Sequence, residues 1–289
     1  MQPFDYVVPR DHAEASAMLA TGSGAARPYQ GGTDLLIRIR GGFVQPEFLV
    51  DLKGLPGMRE IHQSTDGWMV IGAACTMNEV AVNRLAQARY DLLVQACNSV
   101  ASYQLRNRAT VGGNCCNASP AADTAPALIC LGAQAEVFGP TGVRRLPLEA
   151  FFTGPGKTAL GSGEFLTSLH LPPSPSGAVG VFSKLGRTKI GDISIASVAV
   201  YAWPGDDGGR RWRIVLGAVA PIPLRALAAE AILEKDRSAA AIEAAATAAA
   251  DTARPIDDVR ASARYRRAMI GVMARRGIES VLAQMEAVT

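Results

Sequence analysis

The sequence contains few of the residues from which proteins build metal centres. Its five cysteines include no Cys-x-x-Cys pair, and its three histidines are scattered along the chain. The neighbouring Cys115 and Cys116 cannot easily direct both sulfurs to one tetrahedral metal ion. We therefore expect no metal site on this chain, and we expect its thiols to be buried as small hydrophobic groups.

An excess of one charge and a long apolar run are also lacking. The chain has 29 Lys and Arg against 26 Asp and Glu, a net charge of +3, which gives no electrostatic reason to expect nucleic acid. No stretch approaches the roughly 18 consecutive apolar residues of a membrane span, and charges interrupt the first apolar run, unlike in a secretory signal. We expect a cytoplasmic protein with reduced thiols, no nucleic-acid partner and no membrane span.

The familiar nucleotide-binding and catalytic motifs are missing as well. "GSGAAR", which begins at Gly22, has Arg27 where the Rossmann fingerprint requires its third glycine. "GPGKT", which ends at Thr158, has Phe151 where a P-loop requires its first glycine. No Ser-His-Asp set and no carboxylate pair stands out, so the sequence predicts no catalytic residue of its own.

What is present indicates a globular protein with more than one packed unit. The 289 residues are 48% apolar and 19% charged, which suits two or three units that each bury a core. "LPPSPSGAVG" at 171–180 contains three prolines and two glycines, and we place a domain boundary there. The pattern as a whole predicts an α+β chain with its larger unit before that boundary.

Capping patterns and apolar periodicity predict the local elements. Two capping-box patterns predict helices: Asp11 with Glu14 for a helix over 12–20, and Thr76 with Glu79 for a helix that includes Leu85. Further helices are expected over 92–100 and 224–253 and from about residue 265 onward. Strands are expected at 27–30, 48–52, 68–74, 164–171, 194–203 and 210–220, with a hairpin over 135–148.

Two glycine clusters are the strongest sign of a ligand. "QGGTDLL" occupies 30–36 and "TVGGN" occupies 110–114. Glycine allows positive φ and a close approach to a ligand, and successive N–H groups can converge on phosphate oxygens. Either cluster alone is more simply explained as a tight structural turn. Two such loops together favour a diphosphate held from two sides, and therefore a dinucleotide.

The carboxyl-terminal part is basic. "RYRR" at 264–267 lies near Arg260, Arg275 and Arg276. Because no aromatic residues other than one tyrosine alternate with these charges, a nucleic-acid surface is disfavoured. We expect a solvated helix face or a subunit interface.

These stretches together resemble a known family. "GGTDLLIRIR", "LRNRATVGGNCCNASPAADTAPAL", "FFTGPGKTAL" and "GAVAPIPLRA" occur in the order seen in the FAD-binding subunit of molybdenum hydroxylases, a group that includes relatives of xanthine dehydrogenase and carbon monoxide dehydrogenase. The resemblance runs from near residue 4 to about residue 285. It implies an α+β fold with a two-subdomain FAD-binding unit like that of vanillyl-alcohol oxidase (PCMH-like), followed by a smaller α+β domain.

The resemblance also implies domain bounds and cofactor contacts. The FAD-binding domain would cover 1–172, with subdomains of about 1–55 and 56–172, and the carboxyl-terminal domain would cover 178–289. The implied FAD contacts are Tyr29, Gln30, Gly31, Gly32, Thr33, Asp34 and Leu35 in one pyrophosphate and ribityl loop; Thr110, Gly112, Gly113 and Asn114 in the other; Asp123 toward the adenosine ribose; Leu166 and Lys184 near the isoalloxazine or adenine; and Asp192 on a loop close to the flavin face.

By this resemblance the chain is an oxidoreductase subunit that carries electrons. A large partner would hold a molybdopterin-type molybdenum cofactor and a small partner two-iron two-sulfur clusters, in a dimer of heterotrimers. One branch of the family inserts a cysteine-rich segment for a four-iron cluster, and the stretch from Gly113 to Asp123 has no such insertion. Two alternatives remain open: a self-contained FAD-dependent oxidoreductase with its own substrate pocket, and a nucleotide-binding or scaffold protein without catalytic activity.

Overall fold

Four β-sheets and the helices packed on them form the structure, a computed structural model that describes residues 2–21, 24–188 and 191–287. Gly22, where the rejected Rossmann-like stretch begins, lies outside these residues. In the three described ranges, no helix is both long enough and apolar enough to cross a bilayer.

The first sheet contains three parallel strands near the amino terminus. They are β1 Asp5–Val7, β2 Ala26–Tyr29 and β3 Phe48–Asp51, in the spatial order β1-β3-β2. The crossovers that parallel strands require are made by α1 His12–Ala20 and α2 Leu35–Arg40. The predicted first helix is confirmed, and its Asp11 cap accepts a hydrogen bond from the Glu14 N–H at 2.8 Å.

The second sheet is antiparallel and supports the middle of the chain. Its strands are β4 Ile61–Gln63, β5 Met69–Gly72, β6 Gln134–Gly139, β7 Gly142–Pro147 and β10 Phe165–Leu171, in the spatial order β4-β5-β10-β6-β7. A separate hairpin consists of β8 Phe152–Gly154 and β9 Lys157–Thr158. The "GPGKT" stretch therefore contains the end of β8, the turn and β9, and Gly156 in the turn has a positive φ of +67°.

Short helices connect these strands. They are α3 Met77–Val82, α4 Arg84–Arg89, α5 Asp91–Ser99, α6 Tyr103–Arg106, α7 Val111–Asn117, α8 Thr124–Cys130 and α9 Leu148–Phe151. The Thr76–Glu79 capping box is confirmed, but the helix ends before Leu85. Asn83 is extended, and its side chain accepts hydrogen bonds from the next helix at Leu85 N and Ala86 N. The single predicted helix is two helices because asparagine caps the second one.

The third sheet and three helices form the carboxyl-terminal part. Its antiparallel strands are β11 Val179–Leu185, β12 Ala196–Pro204, β13 Arg210–Gly217 and β14 Leu224–Arg225, followed by α10 Leu227–Lys235, α11 Ala239–Thr252 and α12 Ala263–Ala287. The prediction of one helix over 224–253 was wrong. Asp236 and Ser238 separate two helices, since the Ser238 hydroxyl caps the second by accepting from Ala241 N.

The basic carboxyl-terminal segment is only partly a solvated face. Arg264 and Arg267 are exposed, as expected. Arg266 is buried, and its guanidinium pairs with Asp258 at 2.6 Å and donates to the Ile195 carbonyl at 2.7 Å. The prediction was wrong for Arg266 because a helix rotates by roughly 100° at each residue, so neighbouring arginines face different surroundings.

One apolar core connects the second sheet to the third. This cluster includes Leu93 of α5 together with Ala199 and Val215 of the third sheet. The buried thiol of Cys130, at the end of α8, lies 3.4 Å from the Ala199 carbonyl oxygen. The part after the Pro-rich stretch at 171–180 also has a core of its own, which includes Val198, Ile214 and Ile278. The first core therefore extends across this stretch to the third sheet, next to a second core that lies wholly after it.

Candidate cofactor-binding site

The two glycine clusters lie side by side around one groove. The first follows β2 and leads into α2, and the second begins α7. The Thr110 hydroxyl donates to Gln30 Oε1 at 3.0 Å and so joins them. The cavity measures about 300 Å³. Ten of the expected cofactor contacts line it: Gln30, Gly31, Gly32, Thr33, Asp34, Leu35, Thr110, Gly113, Asn114 and Leu166.

Glycine is required where the two clusters meet. A Cβ atom on Gly31 would lie 2.1 Å from the backbone oxygen of Arg108, just before the second cluster. Gly32 has a φ of +71°, and a Cβ atom there would lie 2.5 Å from the Tyr29 ring. A backbone approach this close leaves no room for side chains, so the groove is a cradle that only glycine permits.

The two clusters do not present equivalent backbone groups. Within the described residues, nothing accepts a hydrogen bond from the N–H of Gly32, Thr33 or Asp34. These three donors, on the first cluster, are available for an anionic ligand. Three free donors on the lining of one cavity are compatible with a ligand-binding turn.

The second cluster has the opposite character. Val111 N donates to the Cys75 carbonyl at 3.0 Å, and Gly112 N donates to the Ala73 carbonyl at 3.1 Å. Gly113 N donates to the Thr110 hydroxyl at 3.0 Å. This stretch is therefore the capped start of α7, and the N–H groups of Val111, Gly112 and Gly113 are already bonded. The expectation that both loops offer free N–H groups was wrong for the second.

Gly113 differs from the expectation in its backbone as well. It has helical conformation and so does not use the positive φ that glycine allows. A Cβ atom there would lie 2.6 Å from the Thr110 hydroxyl oxygen. A side chain at Gly113 would therefore disturb the Thr110 cap, and with it the bond to Gln30.

Five of the expected contacts lie outside the groove. The Tyr29 ring packs behind Gly32, and Gly112 packs on Ala73. The other three, Asp123, Lys184 and Asp192, form ion pairs elsewhere. The Asp192 carboxylate accepts from the guanidinium and the backbone N–H of Arg187, which lower the pKa of Asp192 below its usual value.

Asp123 and Lys184 form a buried ion pair with 2.6 Å between Oδ2 and Nζ. Their side chains are only 7% and 14% exposed. Asp123 also accepts from the Ser194 hydroxyl, and Lys184 also donates to the Ser99 carbonyl at 3.0 Å. Burial raises the pKa of Asp123, and the Lys184 ammonium opposes that rise. The pair thus joins α8 to β11 and to the end of α5.

Several residues of the groove were not identified from the sequence. Arg27 and Arg38 line it and bring two positive charges near the free N–H groups. Glu164 also lines it, but its carboxylate is paired with Arg144 at 2.7 Å. Arginine alone carries no positional signal; only the placement of Arg38 one helical turn after Asp34 could have suggested it.

The cysteines differ in their exposure. Cys75, Cys97, Cys115 and Cys130 are at most 1% exposed, as expected for small hydrophobic groups. Cys116 is half-buried and lines the groove, where burial raises the pKa of its thiol to about 12. No group of three or more His, Cys, Asp or Glu residues in the described ranges is placed to hold a metal ion.

The three histidines are not scattered in space. His12, His62 and His170 line one cavity of about 530 Å³ on the second sheet. The Ser168 hydroxyl lies 2.9 Å from His170 Nε2, and a Glu136 oxygen lies 3.4 Å from the same nitrogen. A catalytic triad uses both ring nitrogens, one for the nucleophile and one for the acid. This set shares one nitrogen and is therefore not such a triad.

Family models cover most of the chain. One described as "FAD binding domain in molybdopterin dehydrogenase" matches residues 2–174. Another described as "CO dehydrogenase flavoprotein C-terminal domain" matches residues 181–281. These two matches agree with the resemblance inferred from the motifs.

Individual proteins are similar along nearly their whole length. The chain is 33% identical over 282 residues to the carbon monoxide dehydrogenase medium chain of Hydrogenophaga pseudoflava, covering 97% of this chain and 98% of the relative. It is 32% identical over 260 residues to the xanthine dehydrogenase FAD-binding subunit of Escherichia coli O157:H7, covering 89% of each.

Solved structures share the fold. The carbon monoxide dehydrogenase from Hydrogenophaga pseudoflava that lacks the Mo-pyranopterin moiety superimposes with a TM-score of 0.93 at 34% identity, covering 98% of this chain and 99% of that chain. Quinoline 2-oxidoreductase from Pseudomonas putida 86 gives a TM-score of 0.90 at 27% identity, with the same coverage of 98% and 99%. The expected fold class, an FAD-binding unit followed by a smaller carboxyl-terminal domain, is confirmed.

Proposed function

The chain belongs to the FAD-binding medium subunits of the molybdenum hydroxylases, and from this premise we propose that it passes electrons from iron–sulfur clusters of a partner through FAD to an external acceptor. The observation that carries the proposal is the glycine cradle, with three free N–H groups between two arginines. FAD, when bound, supplies the ability to take up and release electrons singly or in pairs.

The residues of the groove suit a dinucleotide. The N–H groups of Gly32, Thr33 and Asp34 would donate to the diphosphate, and Arg27 and Arg38 would offset its charge. Leu35, Leu166 and Cys116 supply an apolar wall. Val111, Gly112 and Gly113 of the second cluster act here by shape, since their N–H groups are bonded within the protein.

Asp123, Lys184 and Asp192 remain in the proposal as further cofactor contacts. The link to the groove is a hydrogen bond of 2.7 Å from the Thr124 hydroxyl to Asn114 Oδ1, because Thr124 follows Asp123 directly. To contact the cofactor, Asp123 and Lys184 would have to share their ion pair with it. Tyr29 and Gly112 are kept as supports of the loops and not as direct contacts.

Partners complete the proposal. The described relatives are a medium chain and an FAD-binding subunit, which are names for parts of larger enzymes. We propose a large partner with a molybdopterin-type molybdenum cofactor and a small partner with two-iron two-sulfur clusters, arranged as a dimer of heterotrimers. The domain division into 1–172, with subdomains of about 1–55 and 56–172, and 178–289 belongs to the same proposal, and the distribution of the sheets on either side of 171–180 supports it.

Purification of the tagged chain from its native cells tests this function. We expect one FAD on this chain, two partner polypeptides, and molybdenum and iron that stay with the partners when the complex is dissociated. Dithionite should bleach the flavin of the isolated chain, because a chemical reductant can reduce the bound FAD without partner subunits. If the isolated chain oxidised a substrate without partners, it would be a self-contained FAD oxidoreductase, and the proposed subunit function would be wrong.

Cys116 offers a direct test of the groove. We expect FAD to protect this thiol from iodoacetamide, because the cofactor would cover the wall on which it lies. The rate of Cys116 alkylation can be followed by mass spectrometry. The reaction is run at pH 9, because a thiol with a raised pKa has little reactive thiolate and reacts slowly at lower pH. The other four cysteines, which are buried, serve as internal controls. Equal labelling of Cys116 with and without FAD would place the cofactor elsewhere.

A further inference from the structure

Tyr29 lies at a junction between the glycine cradle and a charged cluster. It ends β2 and immediately precedes the first glycine cluster. A Cβ atom on Gly32 would lie 2.5 Å from Cε2 of this ring, so the ring fills the space beside that glycine. The position of this ring therefore determines where the backbone of Gly32 can lie.

A cation lies over the face of the ring. Lys53 Nζ lies 4.3 Å from the centroid of the Tyr29 ring, well within the range of cation–π attraction. No described group hydrogen bonds the Tyr29 hydroxyl, so the phenol oxygen does not anchor the ring. The ring packs in an apolar cluster with Ile39 and Leu49. Lys53 and Tyr6 add polar and aromatic contacts, with the Tyr6 ring edge-on at 5.7 Å between ring centroids.

Lys53 is itself fixed in place. Its ammonium lies 2.5 Å from Asp51 Oδ1, at the end of β3, and donates to the Tyr6 hydroxyl at 3.1 Å. The Tyr6 hydroxyl in turn donates to the other oxygen of Asp51. The Lys53 and Asp51 side chains are 27% and 13% exposed, so solvent only partly screens the pair.

We propose that Lys53 is a positioning residue for the cofactor: it fixes the Tyr29 ring, and the ring holds the first glycine cluster in the conformation that presents its free N–H groups. A loop that is already ordered loses less conformational entropy when the ligand binds. The inference rests on the proposed FAD site, but it concerns residues that do not line the groove.

Lys53→Met tests the inference, because it keeps the length of the side chain and removes the charge. We expect FAD to bind about fivefold more weakly, as suits a cation–π contact of roughly 1 kcal/mol. Lys53→Arg should restore the affinity, since a guanidinium also stacks on aromatic rings. Lys235→Met, the same change at the exposed end of α10, is the matched control and should bind FAD normally.

A double-mutant cycle separates this role from direct attraction of the diphosphate. In a Tyr29→Phe background the ring remains, so Lys53→Met should weaken FAD binding by the same factor of about five. In a Tyr29→Leu background the ring is gone, so Lys53→Met should not weaken FAD binding any further. An equal loss in the Leu background would overturn the inference, as would normal binding by Lys53→Met itself. If the wild-type chain bound no FAD, the proposed function would fail instead.

Discussion

Gly31→Ala is expected to weaken FAD binding by roughly a hundredfold. The new methyl group would lie 2.1 Å from the backbone oxygen of Arg108, so the two glycine clusters would have to separate. Forcing a methyl group into a filled space costs up to about 3 kcal/mol, and each 1.4 kcal/mol corresponds to a factor of ten in affinity. Neither partner can rotate away, because the contact is with backbone and not with a flexible side chain.

The measurement is a titration of cofactor-free protein with FAD, followed by flavin fluorescence. Gly54→Ala is the matched control, because a Cβ atom at Gly54 meets nothing within 4 Å. Circular dichroism should show similar secondary structure in both variants. If the two variants bound FAD equally well, the close contact between the clusters would have no part in binding.

Lys184→Met is expected to lower the free energy of unfolding by about 3 kcal/mol, the lower end of the range for removing one partner of a buried ion pair. The pair is buried, so Asp123 would be left charged in an apolar surrounding or would have to take up a proton. Urea unfolding of the cofactor-free protein measures the loss. The double variant Asp123→Asn, Lys184→Met should recover most of it, because no buried charge then remains.

The pH dependence of this variant follows from the same burial. Without the ammonium, only the hydrogen bond from the Ser194 hydroxyl still opposes the burial that raises the pKa of Asp123 in the folded protein. The carboxyl group then binds a proton more tightly when folded than when unfolded, where its pKa is about 3.9. The contribution of this proton binding to the stability of the folded protein is complete below that value, and it is lost as the pH rises through the pKa of the folded state. Lys184→Met should therefore lose more stability at pH 8 than at pH 5, and a loss independent of pH would contradict this account.

Much of the fold could be predicted because its signals are local. The helix over 12–20, the Thr76 capping box and the hairpin over 135–148 each depend on residues close together in sequence. The two failed helix bounds also have local causes, at Asn83 and at Ser238, where a side chain caps the following helix. Apolar periodicity ran across both positions and concealed those caps.

The sequence predicts the glycines of the site better than it predicts which backbone N–H groups are free to bind a ligand. Glycine marks where a backbone must pass closely, so the two clusters could be paired from the sequence. Whether an N–H group is free depends on distant partners, such as the Ala73 carbonyl that accepts from Gly112. The same holds for Asp123 and Lys184, whose pairing depends on how the third sheet packs against α8. Nothing in the local sequence distinguishes a ligand contact from an ion pair of this kind.

The shared core sets a limit on how the molecule can move. The connection at 171–180 has the composition of a hinge, yet rotation there would withdraw Cys130 from Ala199 and expose apolar surface on both sides. Exposing apolar surface costs about 25 cal/mol for each Å². Opening and closing as two rigid lobes is therefore disfavoured. Cofactor entry in this fold is better served by small displacements of the segments around the groove than by domain rotation.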